Sequence, residues 1–189
     1  MTTTIKLPLR SLNVEKVRDL QEKYPEAEIS VDLNHDRHHA SLSESGFWHI
    51  ISLLDWTKAG DDEAVLRPAL RFLTEGSVRH IFDFADILSE KLFALDGRIY
   101  AQHIGNAAWT RDKYFSVDNF LYVRACVVAN GEQVFNQVLN NPSEMPKDIT
   151  FEALIYLPSD AYELKMGKPY HYSPAFPIET YSNKDHWEN

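Results

Sequence analysis

The sequence predicts an α+β protein, a mainly α-helical body with a small N-terminal βαβ unit. From about residue 43 to residue 166, apolar residues recur at spacings of three and four, the period of a helix that buries one face. Before this stretch, two short segments of alternating apolar and polar residues flank one helical stripe. After it, prolines and aromatic residues replace the helical pattern. We therefore predict three regions, at 1–42, 43–166 and 167–189.

The N-terminal unit is predicted from its alternating segments at residues 5–9 and 29–33, which are typical of short strands. The helix between them is expected to begin after Asn13, a good N-cap residue, and to end before Pro25. Two strands and one helix bury little surface by themselves, so we expect this unit to lean on the rest of the chain. The apolar stripe of its helix is Val14, Val17, Leu20 and Tyr24.

Residues that cap helix N-termini divide the helical body. Ser43 or Ser45 is predicted to begin its first helix, and Ser77 and Ser116 begin later ones, because a serine side chain can accept a first-turn N–H. The acidic residues at 61–63 fit the positive end of another helix. The helix after Ser116 is apolar around most of its axis, which indicates that it is central and buried.

Glycine and proline mark where helices are expected to stop. Gly97 and Gly131 end the two clearest helical patterns, and Pro142 ends a short one. Pro68 is predicted to kink its segment or to open a second helix, and Pro158 to interrupt the last one.

Residues 167–189 are predicted to form an extended arm. Pro169, Pro174 and Pro177 are too closely spaced for a helix. The arm can pack on its own body or clasp a second copy of the chain, so a homodimer is one expectation. Its aromatic residues are Tyr170, Tyr172, Phe176, Tyr181 and Trp187.

Composition excludes several classes of function. The formal net charge is −9, so the chain lacks the basic footprint that nucleic acid or an anionic membrane requires. The single cysteine, Cys126, excludes a disulfide framework and fits a reducing compartment. No apolar run approaches the roughly 18 residues of a membrane span, and the first residues lack a signal-peptide core. No phosphate-binding glycine loop or serine-nucleophile motif occurs. We expect a cytoplasmic protein without a cofactor.

Several short motifs resemble, in order and spacing, a bacterial domain-of-unknown-function family, numbered 4240. The resemblance covers residues 44–163 and implies a fold, without catalytic residues that could be carried over. Some members of that family accompany regulator-like modules. The motifs are Phe47-Trp48-x-x-Ile51, Phe84-x-x-x-Leu88, Leu95-Asp96-Gly97, Asp118-x-Phe120-x-x-x-Arg124, Val127-Val128-Ala129-Asn130-Gly131 and Phe151-Glu152-Ala153.

One cluster of polar residues suggests a metal site. His35, Asp36, His38 and His39 carry the imidazole and carboxylate groups that bind zinc and similar ions. The same residues fit a solvated, histidine-rich connector, because metal ligands also need fixed geometry and supporting hydrogen bonds. Both interpretations stay open from the sequence.

Arg124 lies among apolar residues of a predicted helix, where a guanidinium must find a carboxylate or several carbonyls. Asp118 is six residues earlier and faces another side of that helix, so Asp86, Glu90 and Asp96 are better candidate partners. The sequence favours a structural bridge between two helices over an anion-binding arginine in a cleft.

The aromatic content indicates protein contacts, because Tyr, Trp and Phe anchor interfaces. Trp48 is one candidate. The segment 98–115 is another, since it combines His103, Trp109 and Arg111; an irregular connection that packs on the body is the alternative.

We therefore predict a non-enzymatic protein-interaction or regulatory module with an unidentified protein partner. One alternative is an immunity or inhibitor protein that neutralises a basic partner by its acidity. Another is a small metal-dependent hydrolase that uses His35, His38 and His39. The sequence favours a non-enzyme over an enzyme, and catalytic residues remain unknown.

Overall fold

The computed structural model describes residues 14–24 and 41–188. The chain divides into two compact units, Met1–Arg37 and His38–Asn189. Within the first unit, helix α1 (Val14–Lys23) confirms the predicted N-terminal helix. An ion pair between Lys23 and Asp19, one turn apart, lies on its surface.

The α+β prediction is wrong. The structure is helical, and the parts of the chain that it describes contain no β-strand. The segments predicted as strands, 5–9 and 29–33, lie outside the described residues. Alternation over five residues is a weak signal, because a strand becomes stable only when it pairs with a neighbour and buries one face.

The second unit is built from helices joined by short connections. Single 3-10 turns lie at Trp56–Lys58, Gly105–Ala107 and Pro142–Glu144. The helices are α2 (Glu44–Ser52), α3 (Asp62–Glu75), α4 (Val78–Ala94), α5 (Arg98–Ala101), α6 (Val117–Ala129), α7 (Glu132–Asn140), α8 (Ala153–Met166) and α9 (Lys184–Glu188).

The predicted N-caps are confirmed. Ser43 rather than Ser45 begins α2, and its hydroxyl accepts the N–H of Gly46 at 3.1 Å. The side chains of Ser77 and Ser116 cap α4 and α6 in the same way. These caps satisfy N–H groups that a helix leaves without an internal partner.

The predicted helix stops are confirmed only in part. Helix α4 ends at Ala94, and Gly97 instead precedes α5 as its N-cap. Pro158 lies inside α8 and is buried there, and α3 likewise continues through Pro68. An internal proline removes one helical hydrogen bond, but a helix persists when its packed apolar face outweighs that loss.

Helix α6 lies at the centre of the second unit, as predicted. It contacts α4, α7 and α8, and Phe120 and Val127 on it are completely buried. Because the apolar residues of α6 surround its axis, neighbouring helices pack against it from several sides. None of the described helices combines the length and apolarity that a bilayer crossing needs.

The chain leaves α8 at Gly167 and runs without helix through residues 168–183 before α9. We call residues 168–188 the tail. The tail packs against α4 and α6 of its own unit, through contacts that include those of Asp86, Asp96 and Arg124.

Candidate functional site

Arg124 on α6 is completely buried. One guanidinium nitrogen donates a hydrogen bond to the main-chain oxygen of Leu92 at 2.8 Å. The other terminal nitrogen donates to the main-chain oxygen of Ile178 and to Thr180 Oγ1, both at 3.0 Å. The guanidinium also lies 4.9 Å from the ring centre of Phe120. Arg124 therefore joins α4 to the tail through two carbonyls and a hydroxyl.

Burial lowers the pKa of Arg124 to about 10, and the negative charges of Asp96 and Glu179 act in the opposite direction. The guanidinium remains charged at neutral pH. An internal charge is costly unless polar groups compensate it, and the tail supplies part of that compensation. The structure thus places Arg124 at an internal junction beneath the tail.

Asp96 is the second charged residue beneath the tail and is also completely buried. Its carboxylate accepts the main-chain N–H groups of Tyr181 at 3.2 Å and Asn183 at 3.0 Å. It also accepts the indole N–H of Trp187 at 2.9 Å. A buried carboxylate with several N–H donors is well compensated, so Asp96 fixes the last turn of the tail.

Two further side chains of α4 hold the first half of the tail. Asp86 accepts the hydroxyl of Tyr172 at 2.7 Å and the main-chain N–H of Ala175 at 2.8 Å. Ser89 Oγ accepts the N–H of Phe176 at 3.2 Å. Together with Asp96 and Arg124, these residues line what we call the α4–α6 groove.

Trp187 fills an aromatic pocket at the end of this groove. Its ring centre lies 5.9 Å from that of Phe120, in an edge-on arrangement, and 4.4 Å from that of Tyr181. Trp109 packs edge-on against it at 6.4 Å. Arg98 stacks on Trp109 and donates a hydrogen bond to the main-chain oxygen of Trp187. Trp109, predicted as a binding residue, thus contacts the tail.

The other predicted binding residues lie elsewhere. Trp48 is buried in the core, where its ring packs against those of Phe47 at 4.9 Å and Phe135 at 5.5 Å. His103 and Arg111 are exposed on the connection between α5 and α6. The sequence therefore named residues from the core, the groove and the surface, and the structure does not bring all of them together.

The predicted metal ligands His35, Asp36, His38 and His39 lie outside the described residues. Within residues 14–24 and 41–188, no three His, Cys, Asp or Glu side chains converge as metal ligands would. Metal binding at the four residues remains a prediction.

A separate apolar cleft opens on the surface of the second unit, with a volume of about 320 Å³. Its walls come from the turn before α3, from α6 and α7, and from the connection between α7 and α8. We call it the open cleft. Its lining residues are Trp56, Cys126, Asn130, Val134, Pro146, Ile149, Thr150 and Phe151.

Hydrogen bonds hold the connection that forms one wall of the open cleft. The N–H of Asp148 donates to the main-chain oxygen of Ile104 at 3.1 Å, and its carboxylate accepts the N–H of Asn106 at 2.8 Å. The N–H of Phe151 donates to the main-chain oxygen of Tyr122 at 3.1 Å. The two residues between these anchors are therefore held in place at the rim.

Asp55 holds the turn that forms another part of the cleft wall. Its N–H donates to the main-chain oxygen of Val65, and its carboxylate accepts the N–H of Thr57 at 3.1 Å. These contacts fix the turn that carries Trp56, whose ring centre lies 5.1 Å from that of Phe151.

The chemistry available in the open cleft is that of a binding surface. Among its described lining residues, Cys126 is the titratable one, and burial raises the pKa of its thiol although Asn130 acts in the opposite direction. A thiol with a raised pKa is a poor nucleophile at neutral pH. The remaining lining side chains offer apolar surface, one carboxamide and one hydroxyl.

A family model described as "Protein of unknown function (DUF4240)" matches residues 42–164. The chain belongs to this family. In this DUF4240 protein, the open cleft and the α4–α6 groove both lie inside the matched range, whereas the tail follows it. Comparison with curated proteins and with solved structures gives no significant match.

Proposed function

We propose that this DUF4240 protein is a protein-interaction module that binds a short apolar segment of a partner protein in the open cleft. The observation that carries the proposal is the cleft itself, with its apolar walls and large side chains at the rim. Its volume of about 320 Å³ is at the lower end of the range typical of binding pockets, roughly 300–1,000 Å³.

The rim supplies the surface that binding would bury. Trp56 is 42% exposed and Ile149 is 58% exposed, and both line the cleft. Removing such apolar surface from water stabilises a complex, and tryptophan is among the residues that contribute most at interfaces. A large apolar side chain of the partner would contact both residues at once.

The rigidity of the cleft favours binding as well. Asp148 and Phe151 anchor the wall between them, and Asp55 fixes the turn that carries Trp56. A site that is held in its binding geometry loses little conformational entropy when a ligand arrives. Asn130 and Thr150 add a carboxamide and a hydroxyl to the lining, and the Asn130 oxygen and the Thr150 hydroxyl can pair with the main chain of a bound segment.

A random peptide display library tests this proposal. Peptides selected on the wild-type protein are expected to share large apolar residues. Ile149→Asp should weaken their binding at least about tenfold, because it places a charge on an apolar wall. Leu164→Asp is the matched control: Leu164 is 66% exposed on α8 and does not line the cleft, so binding should be unchanged.

Either of two results would contradict the proposal. In one, selection yields no peptide above the background of an unrelated protein. In the other, Ile149→Asp and Leu164→Asp weaken the selected peptides equally. Circular dichroism of each variant establishes that a loss of binding is not a loss of folding.

A further inference from the structure

The α4–α6 groove contacts both the main chain and the side chains of the tail. Asp86, Ser89 and Asp96 accept N–H groups from residues 175–183, and Arg124 donates to the carbonyl of Ile178. The main-chain part of these contacts is open to other peptide sequences, because every residue except proline carries a main-chain N–H. Many peptide-binding proteins obtain affinity from main-chain contacts.

The aromatic pocket adds a requirement for one side chain. Trp187 is 7% exposed, and Asp96 accepts its indole N–H at 2.9 Å. Phenylalanine would fill part of this pocket but would leave that carboxylate oxygen one donor short. The groove therefore combines main-chain contacts with a tryptophan-specific pocket.

The residues that form the groove belong to the family domain, but the tail does not. Groove residues from Asp86 to Arg124 lie inside the matched range 42–164, and the tail begins at residue 168. Asp96 and Arg124 both hydrogen-bond to the tail, so its departure would expose these charges to water. A hydrated charge does not destabilise the folded state, whereas an unpaired buried charge does.

The conformation of the tail also fits a docked segment. Tyr181 has a φ of 75°, which lies in the left-handed region that bulky residues rarely adopt. Its N–H is held by Asp96, and its ring packs against Trp187. A strained residue persists where surrounding contacts determine it, so this conformation depends on the groove.

We infer that the α4–α6 groove is a second binding site, whose ligand class is a peptide with a non-helical stretch followed by a short helical turn that carries a tryptophan. In this chain the tail occupies the groove as an intramolecular ligand. A partner segment of the same chemistry would compete with it. This site lies apart from the open cleft and does not depend on the proposed function.

The test uses the full chain with a protease recognition sequence inserted between Gly167 and Lys168, an exposed stretch. After folding, the chain is cleaved there, and a fluorescent peptide of residues 168–189 is added. Anisotropy should show saturable binding to the cleaved protein. The uncleaved protein should bind at least about tenfold more weakly, because its attached tail competes at a millimolar effective concentration.

Two matched variants test the contacts. A peptide with Trp187→Ala should bind about 30-fold more weakly, which is the loss typical of a buried aromatic anchor. Asp96→Asn in the protein should weaken the wild-type peptide about tenfold, since it weakens charge-assisted hydrogen bonds. The exposed Asp112→Asn should leave it unchanged.

Three results would overturn the inference. In the first, the cleaved protein loses its helical circular dichroism when the tail is removed by dilution, which would make the tail an integral part of the fold. In the second, the labelled peptide binds cleaved and uncleaved protein equally. In the third, the Trp187→Ala peptide binds as tightly as the wild-type peptide. Ile149→Asp, which addresses the open cleft, should not affect tail binding, so the two proposals fail separately.

Discussion

The guanidinium of Arg124 donates a hydrogen bond to the main-chain oxygen of Ile178 at 3.0 Å, across 54 residues of sequence. One residue lies in the central helix of the family domain and the other in the tail that follows it. The contact explains why a charged side chain is stable inside an apolar helix: its partners arrive from outside the helix.

We predict that Arg124→Met lowers the free energy of unfolding by about 3 kcal/mol, because it leaves Asp96 buried without its neighbouring positive charge and removes hydrogen bonds to the tail. Urea unfolding followed by circular dichroism measures the change. The control is Arg71→Met, which removes an exposed ion pair with Glu75 and should change stability by no more than about 0.5 kcal/mol. Equal effects of the two substitutions would contradict the role of Arg124.

The hydrogen bond between the hydroxyl of Tyr172 and Asp86 should be lost at alkaline pH. Burial and the hydrogen bond to Asp86 raise the pKa of Tyr172 to about 12, from an ordinary value of 10.0. A pKa that is raised in the folded state gives stability that is fully present below pH 10.0 and is lost as the pH rises toward 12.

The measurement for Tyr172 compares urea unfolding of the wild type and of Tyr172→Phe at several pH values. The wild type should be more stable at about pH 8, and this difference should shrink between about pH 10 and 12 as the phenol ionises. A difference that stays constant with pH would show that the hydroxyl of Tyr172 does not make this contact.

Two glycines with left-handed backbones provide a matched pair. Gly60 has a φ of 101° and open space around it, so Gly60→Ala should cost about 1–2 kcal/mol of conformational strain. Gly105 has a φ of 88°, and a Cβ there would lie 2.6 Å from the carboxylate of Asp148. Gly105→Ala should therefore cost about 1–3 kcal/mol more, as measured by thermal unfolding.

Gly105 also tests the open cleft. Because Asp148 anchors the wall that carries Ile149, Gly105→Ala should also weaken selected peptides, whereas Gly167→Ala, at a left-handed glycine that does not line the cleft, should not. Unchanged peptide affinity in Gly105→Ala would mean that this anchor does not shape the cleft.

The thiol of Cys126 should react slowly. It is 5% exposed, and burial raises its pKa. Its reaction with an aromatic disulfide reagent at about pH 8 should be at least about tenfold slower in the folded chain than in urea. A peptide bound in the open cleft should slow the reaction further, since Cys126 lines the cleft. A folded-state rate that matches the unfolded one would contradict this description.

Local signals in the sequence predicted much of the helical body. Ser43, Ser77 and Ser116 begin helices where the pattern placed them. A cap depends on a side chain and a main-chain N–H a few residues away, so its information is local. The α+β prediction was wrong because it rested on two alternating segments, both outside the described residues, that are too short to specify pairing.

No local sequence pattern could indicate the open cleft or the α4–α6 groove. The open cleft joins Trp56, Cys126 and Ile149, which are far apart in sequence. A signal that the sequence analysis did not use is the apolar Ile149 between Asp148 and Thr150, in a segment without a helical pattern. That signal does not identify the residues of the other walls, such as Trp56 and Cys126.

Taken alone, the sequence determined where several helices begin, the buried central helix and the family, because periodicity, caps and short motifs are properties of neighbouring residues. Only the tertiary structure decided what satisfies Asp96, which accepts a hydrogen bond from Trp187 across 91 residues. A charged residue in an apolar pattern indicates that it needs a polar partner, but many chain segments can supply one. The packing of α4 and α6 against the tail selects which segment does.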